Sequence, residues 1–166
     1  MVGLHLHRKP GKRYSDRGRP GPGKASWRLH LAVGGRQENG TDHQPPEHQQ
    51  NANDLATRYD KDVMVVETAY PWTTSDGDSE PNAMTNTGST TFPQTPAGQA
   101  QFIGAVTDIV KAIPGGHGKG VFWWEPEWIP TPNVGWKVGA GDQWDNNTLF
   151  DFHGNALTSL DAFRKR

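Results

Sequence analysis

Asp62-Val63-Met64-Val65-Val66-Glu67 is the stretch that decides the fold class, because four consecutive apolar residues end there in a carboxylate. A short apolar run with three β-branched residues is typical of a strand buried on both faces, as in a parallel sheet covered by helices. A second run, Val121-Phe122-Trp123-Trp124, is also followed by a glutamate, Glu125. The sequence therefore predicts two parallel strands, over 63–66 and 121–124.

Helical patterns separate and flank these two strands. Thr95-Pro96 is a good N-cap and first-turn pair, and apolar residues recur at helical spacing beyond it until Pro114-Gly115-Gly116 predicts the end of the helix. Residues 53–59 read as the last turns of an earlier helix. A final helix is predicted over 155–163, and its inward-facing residues are Leu157, Leu160 and Phe163. With right-handed crossovers, this order is a parallel βαβα unit of an α/β fold.

The first fifty residues differ from the rest in charge and composition. They carry nine Lys and Arg against four Asp and Glu, a net charge of +5, whereas residues 51–166 have a net charge of −6. They show no convincing helical or strand period, and Gly-Arg-Pro-Gly-Pro-Gly at 18–23 is typical of coil. We therefore divide the chain into a disordered, basic segment, 1–51, and a structured part, 52–166. The composition of the first segment is also typical of a GC-rich coding region translated in the wrong frame.

Length and composition exclude several classes of function. A complete (β/α)₈ barrel needs roughly 200–250 residues, and this chain has 166. The overall net charge of −1 does not support binding to nucleic acid or to a membrane surface. Because the chain has no cysteine, thiolate metal sites and cysteine nucleophiles are excluded. No run approaches the ~18 apolar residues of a membrane span, and the basic N-terminus lacks the apolar core of a signal peptide.

Each predicted strand ends in a glutamate followed by aromatic residues, at the edge where parallel α/β folds place their chemistry. Glu67 and Glu125 are therefore candidates for a nucleophile or a general acid. Aromatic side chains nearby offer flat faces to sugar rings: Tyr70, Trp72, Trp124 and Trp128. Carboxylates beside aromatic platforms indicate carbohydrate chemistry. The alternative is that both glutamates are solvated or cap a helix, and that the tryptophans pack in the core.

Four separated blocks carry a more specific signal, and they are residues 62–73 (DVMVVETAYPWT), 95–100 (TPAGQA), 120–129 (GVFWWEPEWI) and 149–157 (LFDFHGNAL). In this order they resemble glycoside hydrolase family 53, the arabinogalactan endo-β-1,4-galactanases, and the resemblance covers residues 52–166. It implies a partial (β/α)₈ TIM barrel that holds strands seven and eight with their helices. It also implies that Glu67 is the catalytic nucleophile. It implies further that Trp124 and Glu125 line the substrate cleft near the reacting sugar. Tyr70, Trp72 and Trp128 are predicted to bind substrate from their aromatic faces alone.

The resemblance implies retaining hydrolysis of β-1,4-galactosidic bonds in plant cell-wall galactan or arabinogalactan, without a required cofactor and outside the cell. Retention needs two carboxyl groups about 5–5.5 Å apart. The family's acid/base is the glutamate of an Asn-Glu pair after strand four. Residues 1–51 contain no such pair, and Glu38 precedes Asn39 in the reverse order. We therefore expect a family member by descent that is inactive as an isolated chain.

The long loop after the first predicted strand carries alternating oxygen donors. Asp78, Glu80 and Asn82 stand at i, i+2 and i+4 in a loop rich in Gly and Ser, which suits a hard cation such as Ca²⁺. Some bacterial galactanases bind Ca²⁺ in the corresponding loop, and Asp142 and Asp145 match a second set of ligands after strand eight. Pro81 and the types of donor depart from that pattern. The alternative is a solvated acidic loop.

Two functions of other classes remain open. One is a non-catalytic galactan-binding fragment or gene relic, whose platform is formed by Trp72, Trp124 and Trp128. The other is a basic interaction protein whose functional part is residues 1–50, which a salt-dependent shift of RNA or DNA would support.

Overall fold

A computed structural model of the protein describes residues 29–33, 45–85, 87, 89 and 91–164. Three strands form one parallel sheet in the order β1-β2-β3: β1 is Leu29–Val33, β2 is Val63–Thr68 and β3 is Gly118–Val121. Two α-helices accompany them, α1 at Pro45–Tyr59 and α2 at Pro96–Lys111. None of the helices in the described part of the chain is long and apolar enough to cross a membrane.

Strand β1 lies in the segment that was predicted to be disordered, so that prediction is corrected for these five residues. Ala32 stands opposite Glu67 of β2 and Val33 stands opposite Thr68, in parallel register. The sequence signal for this strand is a short alternation of apolar residues, namely Trp27, Leu29, Leu31 and Val33. Residues 1–28 and 34–44, to which the disorder and wrong-frame predictions also apply, lie outside the described residues.

Helix α1 also changes the predicted boundary between the two parts of the chain. The predicted turns at 53–59 are confirmed as its last turns, but α1 already begins at Pro45, inside the segment assigned to 1–51. Ala52 and Ala56 are buried against Val63 and Ile113 in one of two apolar clusters. Because this face packs on the sheet, the structured part starts before residue 52.

Helix α2 begins and ends where the sequence predicts. The Thr95 side chain accepts a hydrogen bond from the Gly98 N–H at 3.1 Å, and Pro96 occupies the first turn. The helix ends at Lys111, and Pro114–Gly116 forms a short 3₁₀ turn in which Gly115 has a φ of 69°. The crossover from β2 through α2 to β3 joins two parallel strands, as predicted.

The second predicted strand is displaced by three residues. Strand β3 is Gly118–Val121, whereas the prediction was 121–124. Beyond its end, the Phe122 N–H donates to the Val65 carbonyl and the Trp124 N–H donates to the Thr68 carbonyl, both at 2.8 Å. The step of two residues from Phe122 to Trp124 therefore matches a step of three residues from Val65 to Thr68. The additional residue in β2 makes a β-bulge. The bulge ends the regular ladder while the chain remains extended.

The last predicted helix is shorter than expected. Instead of an α-helix over 155–163, the structure has a 3₁₀ helix at Thr158–Phe163. Phe150 and Ala156 form an antiparallel bridge, and the Leu157 N–H donates to the Leu149 carbonyl at 3.0 Å. These contacts hold the preceding residues in an extended hairpin, so the helix cannot begin there. Phe163, predicted to face inward, is 39% exposed, and its ring packs edge-on against that of Trp123.

The main core lies between the sheet and α2. Its buried residues are Val65, Tyr70, Phe102, Val106 and Val110, and Phe92, Val121 and Trp123 pack against them. Strand β2 lies in the centre of the sheet and is paired on both sides, with β1 and with β3. The carboxyl ends of β2 and β3 therefore lie side by side, and each is followed by a long loop.

Candidate active site at the carboxyl ends of the strands

Glu67 lies near the carboxyl end of the central strand and is half-buried. The next residue, Thr68, accepts the hydrogen bond from the Trp124 backbone, so Glu67 and Trp124 lie at the same edge of the sheet. Within the described ranges, no hydrogen bond or ion pair engages the Glu67 carboxylate. Among the described residues, its oxygens are therefore unengaged and available to a ligand.

The β-bulge falls where Glu67 lies. In a regular strand Glu67 would share the face of Val63 and Val65, which are buried in the two apolar clusters. The additional residue between Val65 and Thr68 interrupts this alternation. Bulges next to active sites redirect a side chain, and here Glu67 is only partly buried, whereas Val65 and Thr68 on either side of the bulge are buried.

Glu125 follows Trp124 directly and has an unusual backbone. Its φ is 46°, in the left-handed region that residues other than glycine rarely adopt. Partial burial raises the pKa of its carboxyl group, and the neighbouring charges of Glu127 and Asp142 raise it further. A carboxyl oxygen held at this edge of the sheet suits hydrogen bonding to a sugar hydroxyl.

Four tryptophans form a cluster at this edge. The Trp124 ring centroid lies 5.9 Å from that of Trp136 and 6.3 Å from that of Trp144, and Trp128 lies 5.2 Å from Trp136. The predicted pair Trp124 and Trp128 is therefore brought together through Trp136, which the sequence reading missed. Trp136 is 64% exposed, and its signal was a tryptophan inside an otherwise Gly-rich loop.

Tyr70 does not line this cluster, which corrects its prediction as a substrate-binding residue. It is only 3% exposed, and its ring stacks on Phe102 at 4.5 Å between centroids. Its hydroxyl group donates to the Phe92 carbonyl and contacts the Thr87 hydroxyl at 3.0 Å. Because the hydroxyl group has hydrogen-bond partners inside the core, burying this side chain costs little free energy. Because the ring itself is buried, neither of its faces is open to a sugar.

Trp72 lies where two loops meet, the loop between β2 and α2 (69–95) and the loop that follows β3 (122–157). Its backbone N–H donates to the Asn146 carbonyl at 2.9 Å, and its ring centroid lies 4.9 Å from that of Phe152. Farther along the two loops, the Ala83 N–H donates to the Gln143 carbonyl at 2.9 Å. The structure does not bring Trp72 into ring contact with the tryptophan cluster, so its predicted sugar contact stays a prediction.

An acidic cluster lies along the same two loops. Asp76, Asp78 and Asp145 each place one carboxylate oxygen within 4.8 Å of the others. Asp145 is fully buried, and burial, with the charges of Asp76, Asp78 and Asp142, raises its pKa to about 7, against a hydrogen bond from the Gly77 N–H. In the described part of the chain, no lysine or arginine forms an ion pair with these carboxylates.

The predicted metal ligands divide into three kinds. Asp78 and Asp145 belong to the cluster, together with Asp76, which was not among the predicted ligands. Glu80 is not part of it, and its carboxylate accepts a hydrogen bond from the Gln143 side chain at 2.7 Å. Three further oxygens nearby are buried without a hydrogen-bond partner among the described residues, namely Asn82 Oδ1, Asp142 Oδ2 and Asp145 Oδ1. Such oxygens fit a hard cation that takes carboxylate and amide ligands.

Comparison with known proteins gives a consistent result. The sequence model described as "Glycosyl hydrolase family 53" matches residues 41–163. The chain is 36% identical over 142 residues to an endo-β-1,4-galactanase of Bacillus subtilis (strain 168), covering 66% of this chain and 32% of that protein. It is 36% identical over 115 residues to an arabinogalactan endo-β-1,4-galactanase of Cellvibrio japonicus (strain Ueda107), covering 67% and 29%.

A solved structure supports the same relationship. The chain superposes on the Ignisphaera aggregans GH53 catalytic domain with a TM-score of 0.68 at 37% identity, covering 73% of this chain and 34% of that one. The chain thus spans about a third of the length of the relatives it matches. Solved structures of this family are TIM barrels, and the parallel unit described above is part of that architecture. Since the match extends over most of its residues, the chain belongs to glycosyl hydrolase family 53.

Proposed function

We propose that this chain is the C-terminal part of a retaining endo-β-1,4-galactanase, that β2 and β3 are strands seven and eight of its barrel, and that Glu67 is the nucleophile. The observation that carries the proposal is the position of Glu67. It lies at the carboxyl end of a central parallel strand, next to the backbone of Trp124, with no described partner on its carboxylate. The galactanase names of the Bacillus and Cellvibrio relatives supply the substrate class, galactan or arabinogalactan.

In the proposed reaction a Glu67 oxygen attacks the anomeric carbon of a galactosyl unit. The glycosidic C–O bond breaks, the leaving oxygen takes a proton from a second carboxyl group, and water later hydrolyses the glycosyl ester. Trp124 and Glu125 line the cleft at the reacting sugar, where the Glu125 carboxyl group binds a hydroxyl. Because galactan is a cell-wall polymer, we propose that the complete protein acts outside the cell.

The isolated chain is proposed to be inactive on galactan. Its 166 residues contain no Asn-Glu pair like the one that holds the acid/base of the family. A sugar alkoxide is a poor leaving group and needs protonation, whereas a nitrophenolate departs without it. Any residual attack by Glu67 is therefore confined to activated aryl galactosides.

A chimera tests the role of Glu67. Residues 41–163 replace the matching third of the Bacillus subtilis galactanase, and the chimera is assayed on galactan and on an aryl β-galactobioside. Glu67→Ala removes hydrolysis, and added azide restores release of the aryl group, with azide attached to the vacated face as the α-galactosyl product. The matched control is Glu127→Gln, an exposed glutamate near the site, which leaves hydrolysis intact. Full activity of Glu67→Ala, or a β-galactosyl azide, rules out this nucleophile.

We also propose that the acidic cluster binds Ca²⁺ in the intact protein. Asp76, Asp78 and Asp145 would hold the ion, and the unpartnered oxygens of Asn82 and Asp142 would complete its ligands. The ion would tie the two loops together and neutralise their carboxylates, and it takes no part in bond breaking. The chemistry of the reaction needs no cofactor.

Metal titration tests this site. In chelator-treated protein, added Ca²⁺ raises the melting temperature of the wild-type chain, and Asp145→Asn abolishes the increase. The matched control is Glu80→Gln, because Glu80 is an acidic residue of the same loop that lies outside the cluster. A Ca²⁺ response that Glu80→Gln abolishes and Asp145→Asn keeps would place the site elsewhere.

The tryptophan cluster favours a second candidate, galactan binding without catalysis. Trp136 is largely exposed and contacts both Trp124 and Trp128, which gives a broad apolar platform. On affinity electrophoresis in galactan, the chain is retarded and Trp124→Ala removes the retardation, without hydrolysis of the gel. Tyr59→Ala is the control, since Tyr59 is exposed at the opposite edge of the sheet, where β2 begins. Equal retardation of the wild type and Trp124→Ala would exclude this platform.

A further inference from the structure

Gln99 is the side chain that joins the two active-site loops to helix α2. It lies in the first turn of the helix and is fully buried. Its amide nitrogen donates to the carbonyls of Tyr70 at 2.8 Å, Thr148 at 3.1 Å and Asn147 at 3.3 Å. Its amide oxygen accepts a hydrogen bond from the Ser159 hydroxyl. One side chain therefore uses all of its polar atoms on three segments that are far apart in sequence.

The carbonyls that Gln99 binds lie close to the candidate catalytic residues. Tyr70 is three residues beyond Glu67, on the segment that leaves β2. The Asn147 carbonyl also accepts a hydrogen bond from the indole N–H of Trp123 at 2.8 Å, and Trp123 immediately precedes Trp124. The amide thus fixes the segment after Glu67 and the segment beside Trp124 against the same point of α2.

We infer that Gln99 is a positioning residue, which sets the distance between Glu67 and the wall formed by Trp124 and Glu125. This inference rests on the proposed function for its consequence in catalysis, but the positioning itself concerns only the two loops. The polar specificity of the contacts supports it. An apolar side chain of the same size would fill the space but would leave the three carbonyls and the Ser159 hydroxyl group without this partner, so it could not hold the loops by hydrogen bonds.

The chain offers a matched pair of variants. Gln99→Met keeps the length of the side chain and removes its bonds to both loops and to Ser159. Ser159→Ala removes only the bond to the 3₁₀ helix and leaves the three bonds to the loop carbonyls. Both variants lose buried hydrogen bonds and both are less stable than the wild type, so a lower melting temperature alone does not distinguish them.

Fluorine NMR of the full chain labelled with 5-fluorotryptophan provides the distinguishing measurement, with each signal assigned by a Trp→Phe variant. In Gln99→Met the signals of Trp72 and Trp124 move or broaden, whereas in Ser159→Ala they stay at their wild-type positions. The Trp123 signal is not used for this comparison, because its ring packs on Phe163 of the 3₁₀ helix that contains Ser159. If Gln99→Met does not fold, Gln99→Glu takes its place, because it keeps the volume and the acceptor for Ser159. Unmoved signals in the Gln99 variant, or equal shifts in Ser159→Ala, overturn the inference.

Activity then tests the consequence separately. In the chimera described above, the Gln99 variant lowers kcat by at least tenfold with a smaller change in KM, whereas Ser159→Ala retains kcat at a temperature where both are folded. Equal kcat values for the two variants contradict the role in positioning. A wild-type chimera without activity counts against the proposed function alone, because the NMR comparison still decides whether Gln99 holds the loops.

Discussion

At the scale of single residues, the site depends on side chains whose surroundings oppose their usual behaviour. Asp145 is a fully buried carboxylate among other carboxylates, and Glu125 has a backbone conformation that glycine adopts more readily. Neither property was visible in the sequence. The sequence predicted that both residues belong to the site, because Glu125 follows a strand and Asp145 fits a pattern of oxygen donors. The burial of Asp145 and the φ of Glu125 result from the contact between the two loops.

Asp145 makes the stability of the metal-free chain depend on pH. Its pKa is raised to about 7 in the folded state from 3.8, so between about pH 4 and pH 7 the folded chain holds a proton that the unfolded chain has released. Stability therefore falls as the pH rises through this window and is constant above it. In chelator-treated protein, the melting temperature of the wild type falls more between pH 5 and pH 8 than that of Asp145→Asn.

A second variant checks the cause. Asp76→Asn removes a charge that raises the pKa of Asp145, so it moves the fall in melting temperature to lower pH. The same pH dependence in the wild type and in Asp145→Asn would show that this carboxyl group does not titrate in the window.

We expect that replacing Glu125 has opposite effects on the stability of the chain and on its binding to galactan. A residue other than glycine in the left-handed region costs about 1 kcal/mol, so Glu125→Gly keeps or raises the free energy of unfolding while galactan retardation weakens. Asp60 has a similar φ of 49° and is distant from the site, just before β2. Asp60→Gly therefore shares the effect on stability and keeps galactan retardation. Urea unfolding and affinity electrophoresis measure the two effects, and equal retardation of both variants would contradict a role for Glu125 in binding.

At the scale of the elements, local chemistry determines the helix and tertiary contacts determine the strand ends. Thr95→Ala removes the hydrogen bond to the Gly98 N–H, and we expect a loss of about 1 kcal/mol, or roughly 2–4 °C in melting temperature for a chain of this size. Thr95→Ser keeps a hydroxyl group and retains most of the stability. Thermal unfolding compares the three proteins, and an unchanged Thr95→Ala would mean that the cap contributes nothing.

The predictions of helices and strands are correct where an element's ends depend on adjacent residues, and incorrect where they depend on residues that are distant in sequence. The start of α2 and its end before Pro114 depend on adjacent residues, so the sequence predicts them. The end of β3 depends on a bulge in β2, more than fifty residues away, and the late start of the final helix depends on a bridge from Phe150 to Ala156. Tyr70 was assigned to the site for a similar reason, because its burial depends on Phe92 and Phe102 and not on its neighbours.

At the scale of the whole molecule, β3 and the extended residues 122–124 that follow it have two different faces. One face is covered by α2, and the other is open. Val121 and Trp123 pack against the apolar cluster shared with α2. By alternation, Phe122 and Trp124 face the opposite side, which is the interior in a TIM barrel. Phe122 is 56% exposed, and the chain covers 34% of a solved family member. The rest of a family barrel is therefore the expected cover for Phe122.

This expectation predicts that one substitution has two different costs. In the isolated chain Phe122→Ala changes the free energy of unfolding by less than about 0.5 kcal/mol, because an exposed ring loses little apolar contact. In the chimera with the Bacillus subtilis galactanase the ring enters the packed interior, and the same substitution costs about 3–5 kcal/mol. Val138→Ala is the control, since Val138 is 72% exposed on a loop and has a small effect in both proteins. Urea unfolding of the four variants and two parents measures the difference. Equal costs of Phe122→Ala in both proteins would mean that β3 does not join the barrel through this face.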